Sequence, residues 1–324
     1  MKKVRVGVVG VGKLGESHLH HYLSIPGVEV MGVFDLDNQR LQEIISRYEV
    51  HPFKNIEEII KSADAISIVT STSVHYEIAK TAIEHGLNVF IEKPMTTTIE
   101  QADDIVNLQK SKGTIVQIGL IERFNPAFTA LDSRSIHPLF IESHRLAPFT
   151  ARGADVSVVL DLMIHDIDLV LKLVPADVKN IEATGFSAIS GSIDFANAHI
   201  QFTNGTNASL IASRIAPERV RKMSLFQSDS TVIIDFLKKE TEIYRFSNDS
   251  AANSRERVMG QMNYKGRSRF LLRQDIEVRF VDALQEELTA FIRSVRGESP
   301  PVVTAEEGRR ALATSLAVMR AIEK

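Results

Sequence analysis

KVRVGVVGVGKLG, residues 3–15, decides the fold of the first part of the chain. Valines dominate residues 3–9, as in a short strand buried on both faces. Gly10, Gly12 and Gly15 then take the G-x-G-x-x-G spacing. An amphipathic segment runs from Leu14 to Leu23, and a second apolar run, VEVMGVFD, ends at Asp35. Strand, glycine turn, helix, strand and acid come in the order of a dinucleotide-binding βαβ unit.

Each part has a physical task. Gly10 permits the tight turn, Gly12 lets a pyrophosphate approach bare backbone, and Gly15 lets the helix pack close to the strand. The helix start supplies free N–H groups and positive partial charge to phosphates. The loop Gly10, Gly12, Lys13, Leu14 and Gly15 is therefore assigned to the cofactor. Asp35, about 20 residues after the loop, suits the two ribose hydroxyls of an adenosine and would repel a 2′-phosphate. NAD is expected rather than NADP, with Asp37 as a competing acid nearby.

The alternation continues outward. Residues 55–61, 75–84 and 99–112 read as helices; ADAISIVTS, LNVFIEKP and TIVQIGL read as strands. This pattern gives a doubly wound parallel sheet, with ligands beyond the carboxyl ends of its strands. Thr70–Ser73, including Ser71, and Glu92, Lys93 and Pro94 should line that crevice. After Gly119 the alternation stops. Residues 125–131 read as a short helix, FIESHRL as a strand, and from Asn180 onward strands dominate, with turns at Asn204-Gly205 and Asp229-Ser230 suggesting a meander. Residues 247–269, polar and rich in Ser, Asn and Arg, read as a mobile insertion. Thr304 and Glu307 form a capping box for a last helix. The expected boundaries are 1–121, 122–302 and a closing helix 303–324.

VLDLMIHDIDLVLKLV, residues 159–174, is an apolar helix with a polar line of Asp161, His165, Asp168 and Lys172 at about 100° per residue. Such a line is ordinarily a solvated face. The competing reading turns it toward a pocket, with Asp161 one turn before His165 and able to orient it. Asp166 and Asp168 read as structural.

The chain has 324 residues, a net charge of −3 and no cysteine. Charge excludes a strong nucleic-acid field, and the missing thiols exclude disulfides and thiolate metal sites. No metal-ligand cluster stands out, no run reaches the roughly 20 apolar residues of a membrane span, and the start enters a strand at once. A cytoplasmic protein, without nucleic acid or membrane as partner, is expected.

GVGKLGESH (10–18), the helix holding His75, the E-K-P of GLNVFIEKPMT (86–96) and the D-x-x-x-H of Asp161 and His165 together resemble the Gfo/Idh/MocA oxidoreductase family. The likeness extends to LQEELTAFIRSV and TAEEGRRALATSLAVMRAI near the end. It implies an N-terminal Rossmann domain, a second α/β domain with a large open, mainly antiparallel sheet, a last helix (303–324) packing back toward the first domain, and hydride transfer at a sugar or polyol carbon with Lys93, Asp161 and His165 as catalytic residues. One departure lies in the crevice: many members carry a T-P-N-like run before the helix histidine, where this chain has Thr72-Ser73-Val74-His75. His18 and His75 are expected to support the cofactor domain by packing and hydrogen bonds.

A narrower resemblance joins GLIERFNPAF (119–128), PLFIESHRLAPF (138–149), DVSVVLDLMIHDIDL (155–169) and SRIAPERVRKMSLFQ (213–227) to the branch that oxidises the 3-hydroxyl of UDP-N-acetylglucosamine for amide-linked lipid A. It implies an aminotransferase as pathway partner. Hydride loss leaves a ketone only if the hydroxyl proton also departs, so a base and a cation are needed. His165 suits the base, Asp161 its orientation, and Lys93 the cation. Arg123, Arg145 and Arg152 are candidates for the diphosphate, and Asn125 for sugar or base. Two alternatives stand beside this reading: a dehydrogenase of another sugar, inositol or nucleotide-sugar uronate, and a cofactor-binding regulator without chemistry. An open sheet face suggests a homodimer or homotetramer.

Overall fold

The computed structural model describes residues 3–131, 136–150, 153, 155–248 and 255–324. The chain divides into two compact units, Met1–Ile121 with Asp282–Ala313, and Glu122–Val281 with Thr314–Lys324.

In the first unit β1 (Val4–Val9), β2 (Val28–Phe34), β3 (Ala65–Ile68), β4 (Asn88–Glu92) and β5 (Val116–Gly119) form a parallel sheet in the order β2-β1-β3-β4-β5. Their apolar runs are buried on both faces, which a parallel sheet flanked by helices requires. The order reverses at β1, so β1 and β3 open the crevice at their carboxyl ends. The helices are α1 (Lys13–Ser24), α2 (Asn38–Tyr48), α3 (Ile56–Ser62), α4 (Thr72–Glu84) and α5 (Ile99–Lys112). Asp37, Asn55 and Thr98 cap α2, α3 and α5 by accepting from the backbone N–H three residues on. Helix α2 has no counterpart in the sequence reading. Its signals were the Asp37 cap and the buried pair Leu41 and Ile44.

The helix Ala283–Val295 (here α8) groups with this first unit, although the sequence boundary placed it in the second. The reason is packing: Leu288, Phe291 and Ile292 are fully buried in one cluster with Leu19, Tyr22 and Phe90. Burying one such side chain contributes about 1.5–3 kcal/mol, more than a helix of this length can forgo. Ile118 N–H donates to Val303 O at 3.1 Å, so the segment before the last helix, Ala305–Ile322 (here α9), closes the β5 edge. The expected capping box is present: Glu307 N–H donates to Thr304 Oγ1 at 3.1 Å, and Thr304 N–H to Glu307 Oε2 at 2.9 Å.

The second unit carries a short α6 (Pro126–Thr129), β6 (Phe140–Leu146), a π-helical turn (Val159–Met163), α7 (Ile164–Leu173) and strands β7 (Val178–Phe186), β8 (Phe195–Phe202), β9 (Asn207–Ser213), β10 (Val220–Phe226), β11 (Ser230–Asp235), β12 (Glu240–Ser247), β13 (Glu256–Tyr264) and β14 (Arg267–Asp275). These make one nine-stranded sheet in the order β13-β14-β12-β11-β10-β6-β9-β8-β7. All pairs are antiparallel except β6 with β9. The expected meander is thus interrupted, because β6 inserts between β9 and β10. Helix α7 covers β6 and β9.

The expected insertion at 247–269 is corrected from residue 256 onward, while residues 249–254 lie outside the described residues. Residues 256–264 and 267–275 are a hairpin on the sheet edge, closed by Lys265 and Gly266 with φ of 48° and 72°. Two successive positive φ angles are the mark of a type I′ turn, so Lys265-Gly266 was the overlooked signal. The hairpin is mostly exposed, so its strands need little apolar alternation. No helix among the described residues is long and apolar enough to cross a membrane.

Candidate functional site

The glycine loop has the shape that its spacing anticipates. Gly10 has a φ of 85°, and a Cβ there would stand 2.6 Å from Val69 O. A Cβ on Gly15 would lie 1.8 Å from Gly10 O, so only glycine permits this helix-to-loop packing. Above Gly12 nothing lies within 4 Å of an added Cβ, and no side chain caps the start of α1. An uncapped helix start behind an open glycine is a cradle that fits a pyrophosphate. Lys13 is exposed and Leu14 partly buried at its rim. Asp35 Oδ2 accepts from Val11 N–H at 2.7 Å and Oδ1 from Asp37 N–H at 2.9 Å. Asp37 is spent on capping α2, which removes it as a competitor for Asp35. Gly15→Ala is expected to weaken NAD binding at least about a hundredfold, or about 2.7 kcal/mol, measured by calorimetric titration.

At the carboxyl ends of β3 and β4 the backbone is tied together by a histidine. His75 is buried, with Nδ1 3.0 Å from Pro94 O and Nε2 3.1 Å from Thr70 O. It belongs to α4, which begins at Thr72, so the Thr72-Ser73-Val74 run forms the first turn of that helix. Burial pushes the His75 imidazole below its ordinary range, against the two carbonyls and Glu92, which favour the charged form. The unfolded chain therefore binds the extra proton first. Stability is full above the unfolded value near 6.5 and is lost as pH falls toward the lower folded value. Denaturant midpoints measured across this window should fall with acid in the wild type and flatten in His75→Gln.

Lys93 follows β4 and is partly buried, and the Lys93–Pro94 peptide is cis. Glu92 does not face outward as a cofactor contact. Its carboxylate is buried, with Oε1 3.1 Å from His18 Nε2 and Oε2 accepting from Lys93 N–H at 3.2 Å. Ser71 is exposed, with Oγ 3.2 Å from Ser73 Oγ, and Thr70 is partly buried.

In the second unit Asp161 sits in the π-helical turn and His165 in the first turn of α7, both partly buried. The wider turn advances less than 100° per residue, so Asp161 stands off the straight polar line read from the sequence. Single π turns recur at functional sites. Gly153 lies beside Asp161, where an added Cβ would be 3.5 Å from Oδ2. Arg214, which the sequence reading passed over, donates from Nη1 to Gly153 O at 2.6 Å and from Nη2 to Val156 O, holding the segment that leads into this turn. Its buried partner Asp194 accepts from the N–H groups of Ala188, Ile189 and Ser190.

The arginine assignments are corrected. Arg123 is 5% exposed and grips Asp168 with two bonds of 2.8 and 2.6 Å. Arg145 is 2% exposed, donating twice to Asp166 at 2.8 and 2.9 Å and once to Glu122 at 2.7 Å. Burial alone would push the Arg145 guanidinium down, but Asp166 and Glu122 hold it above its ordinary value. Asn125 caps α6 by accepting from Ala127 N–H and donates to Glu122 Oε2 and Phe236 O. These three are structural because buried carboxylates claim their donors. Arg152 lies outside the described residues. Asp166 and Asp168 point about 200° apart on α7 and are held from two sides, which fixes the rotation of the helix that carries His165. Among the described residues, no group of three or more His, Asp or Glu is placed to hold a metal ion.

Known proteins share this architecture. Residues 4–120 match the family described as an oxidoreductase family with an NAD-binding Rossmann fold, GFO_IDH_MocA, and residues 137–233 match the GFO/IDH/MocA C-terminal domain. The chain is 33% identical over 324 residues to UDP-N-acetylglucosamine 3-dehydrogenase of Acidithiobacillus ferrooxidans, covering 100% of this chain and 98% of that protein. A solved structure of that enzyme superposes with a TM-score of 0.90 at 34% identity, covering 100% of this chain and 98% of the other. The scyllo-inositol 2-dehydrogenase (NAD(+)) of Bacillus subtilis is 26% identical, over 93% of this chain and 89% of that protein.

Proposed function

The chain belongs to the Gfo/Idh/MocA oxidoreductase family, and from that premise we propose that it oxidises the 3-hydroxyl of UDP-N-acetylglucosamine to a ketone with NAD. The observation that carries this reading is the end-to-end likeness to the Acidithiobacillus enzyme, which exceeds the likeness to the inositol dehydrogenase.

NAD rather than NADP fits the loop. Asp35 offers a carboxylate where a 2′-phosphate would bring further negative charge. Arg40, which donates to Val11 O at 2.9 Å, is neutralised by Glu16 and by Glu43 at 3.1 Å, so it offers no spare cation to a phosphate.

The chemistry that a bound nicotinamide dinucleotide would supply is that of a hydride acceptor. Gly10, Gly12, Lys13, Leu14 and Gly15 would hold the pyrophosphate of the dinucleotide, and Thr70, Ser71, His75 and Pro94 would shape the crevice beside it. Lys93 stabilises alkoxide character on the sugar oxygen with its ammonium. His165 takes the hydroxyl proton, and Asp161 steadies the imidazolium that results. The balance is one hydride from carbon, one proton from oxygen, and a ketone left behind.

The ketone product suits an aminotransferase as the next enzyme. On the face turned away from α7, Phe226 and Phe246 are 38% and 50% exposed, which supports a homodimer or homotetramer through the open sheet. Light scattering on the purified protein checks the oligomer. The substrate is tested with a panel of UDP-N-acetylglucosamine, UDP-N-acetylglucosaminuronate, myo-inositol and scyllo-inositol, each with NAD or NADP and a ketone trap. UDP-N-acetylglucosamine with NAD is expected to give the highest kcat/KM. A higher value for either inositol would replace this reading with the polyol one.

A further inference from the structure

A buried polar chain runs behind Lys93. His18 on α1 and Ser67 on β3 are both 0% exposed, and His18 Nδ1 lies 2.9 Å from Ser67 Oγ. The other ring nitrogen, Nε2, lies 3.1 Å from Glu92 Oε1. A carboxylate can only accept, so Nε2 donates to Glu92, and in the neutral ring Nδ1 accepts from the Ser67 hydroxyl. Glu92 Oε2 accepts the backbone N–H of Lys93 at 3.2 Å. Gly119 on the neighbouring strand leaves room for this carboxylate, since a Cβ there would stand 2.8 Å from Glu92 Oε1. Phe90 and Tyr22 pack edge-on to the His18 ring at 5.3 and 6.4 Å, which fixes its plane. Burial raises the Tyr22 hydroxyl well above its ordinary range, so it stays neutral in this cluster.

We propose that His18 and Glu92 are positioning residues for Lys93, fixing through one carboxylate the backbone from which the catalytic ammonium extends. The inference rests on the catalytic role of Lys93 proposed above. Neither side chain faces outward, so neither touches substrate. Both partners of Glu92 are donors, one on each oxygen. A methionine in its place offers no acceptor to either donor, and both bonds are lost. A glutamine at His18 behaves differently. Its amide can donate toward Glu92 and its carbonyl can accept from Ser67, so it keeps the polarity of the chain without a titrating ring.

The test compares wild type with Glu92→Met, His18→Leu and His18→Gln. The first readout is hydrogen exchange at the Lys93 amide in the NAD-bound protein, which needs no sugar. The second is kcat and KM with UDP-N-acetylglucosamine, beside the NAD Kd. Glu92→Met and His18→Leu are expected to speed Lys93 amide exchange at least about tenfold and to lower kcat about ten- to a hundredfold, with KM and the NAD Kd within about threefold. His18→Gln should regain most of both losses. Unchanged exchange at Lys93 in Glu92→Met would overturn the inference. So would equal losses in His18→Gln and His18→Leu, which would assign a proton-transfer task to the ring itself. If the wild type fails to turn over the sugar, the substrate reading fails alone, and amide exchange still decides whether the pair positions Lys93.

Discussion

Lys93→Met is expected to lower kcat about a thousandfold while leaving the NAD Kd within about threefold. The expectation follows from what each atom of the residue does. The backbone N–H donates to Glu92 and the following Pro94 carbonyl meets His75, and a methionine keeps both. The side chain keeps its length and loses only the charge. Removing one group that stabilises a developing oxyanion costs about a hundred- to a thousandfold in kcat, and an ammonium stands at the upper end of that range. Substrate contacts elsewhere persist, so KM should move much less than kcat. Steady-state rates in the presence of a ketone trap, beside calorimetric NAD titration, separate the two effects. A kcat within tenfold of wild type would remove Lys93 from the chemistry.

Arg145→Met is expected to destabilise the second unit by about 3–5 kcal/mol. The guanidinium supplies three bonds to two carboxylates, Asp166 and Glu122, whose side chains are 3% and 6% exposed. Without it both are left in a poorly solvated site, where an unpaired charge costs more than the pair contributed. Arg221 Nη1, 3.5 Å from Glu122 Oε1, can compensate only part of this, because its side chain is 41% exposed. Adding Asp166→Asn should recover part of the loss, since it removes one of the orphaned charges. Chemical denaturation of the single and double variants gives the comparison. Loss of substrate affinity with unchanged stability would contradict the structural assignment and return Arg145 to the substrate.

The first unit was legible because its chemistry is local. Gly10, Gly12, Gly15 and Asp35 sit in a fixed order along one βαβ unit, and buried parallel strands write themselves as apolar runs. The second unit was legible in its strands but not in their order. That β6 lies between β9 and β10 is a long-range pairing that no local pattern encodes. The hairpin of β13 and β14 was hidden because it lies exposed at an edge, where polar residues are tolerated on both faces. Helix α8 was placed in the wrong company because its apolar stripe says that it is buried, and not against what. For the site, Lys93, Asp161 and His165 were proposed through family motifs. Arg123 and Arg145 were misread because type alone does not distinguish a phosphate ligand from the partner of a buried acid. Asp166 and Asp168, read as structural, were the clue: two acids on a mostly buried helix must find cations, and Arg145 and Arg123 are those cations.

The most direct measurement follows one deuterium. UDP-N-acetylglucosamine carrying deuterium at carbon 3 is incubated with the protein, NAD and the ketone trap, and the reduced nicotinamide is weighed by mass spectrometry. Oxidation at the 3-hydroxyl predicts that every reduced cofactor gains one deuterium. Reduced cofactor without the label would place the chemistry at another carbon, and no reduced cofactor from a protein that binds NAD would contradict the substrate itself.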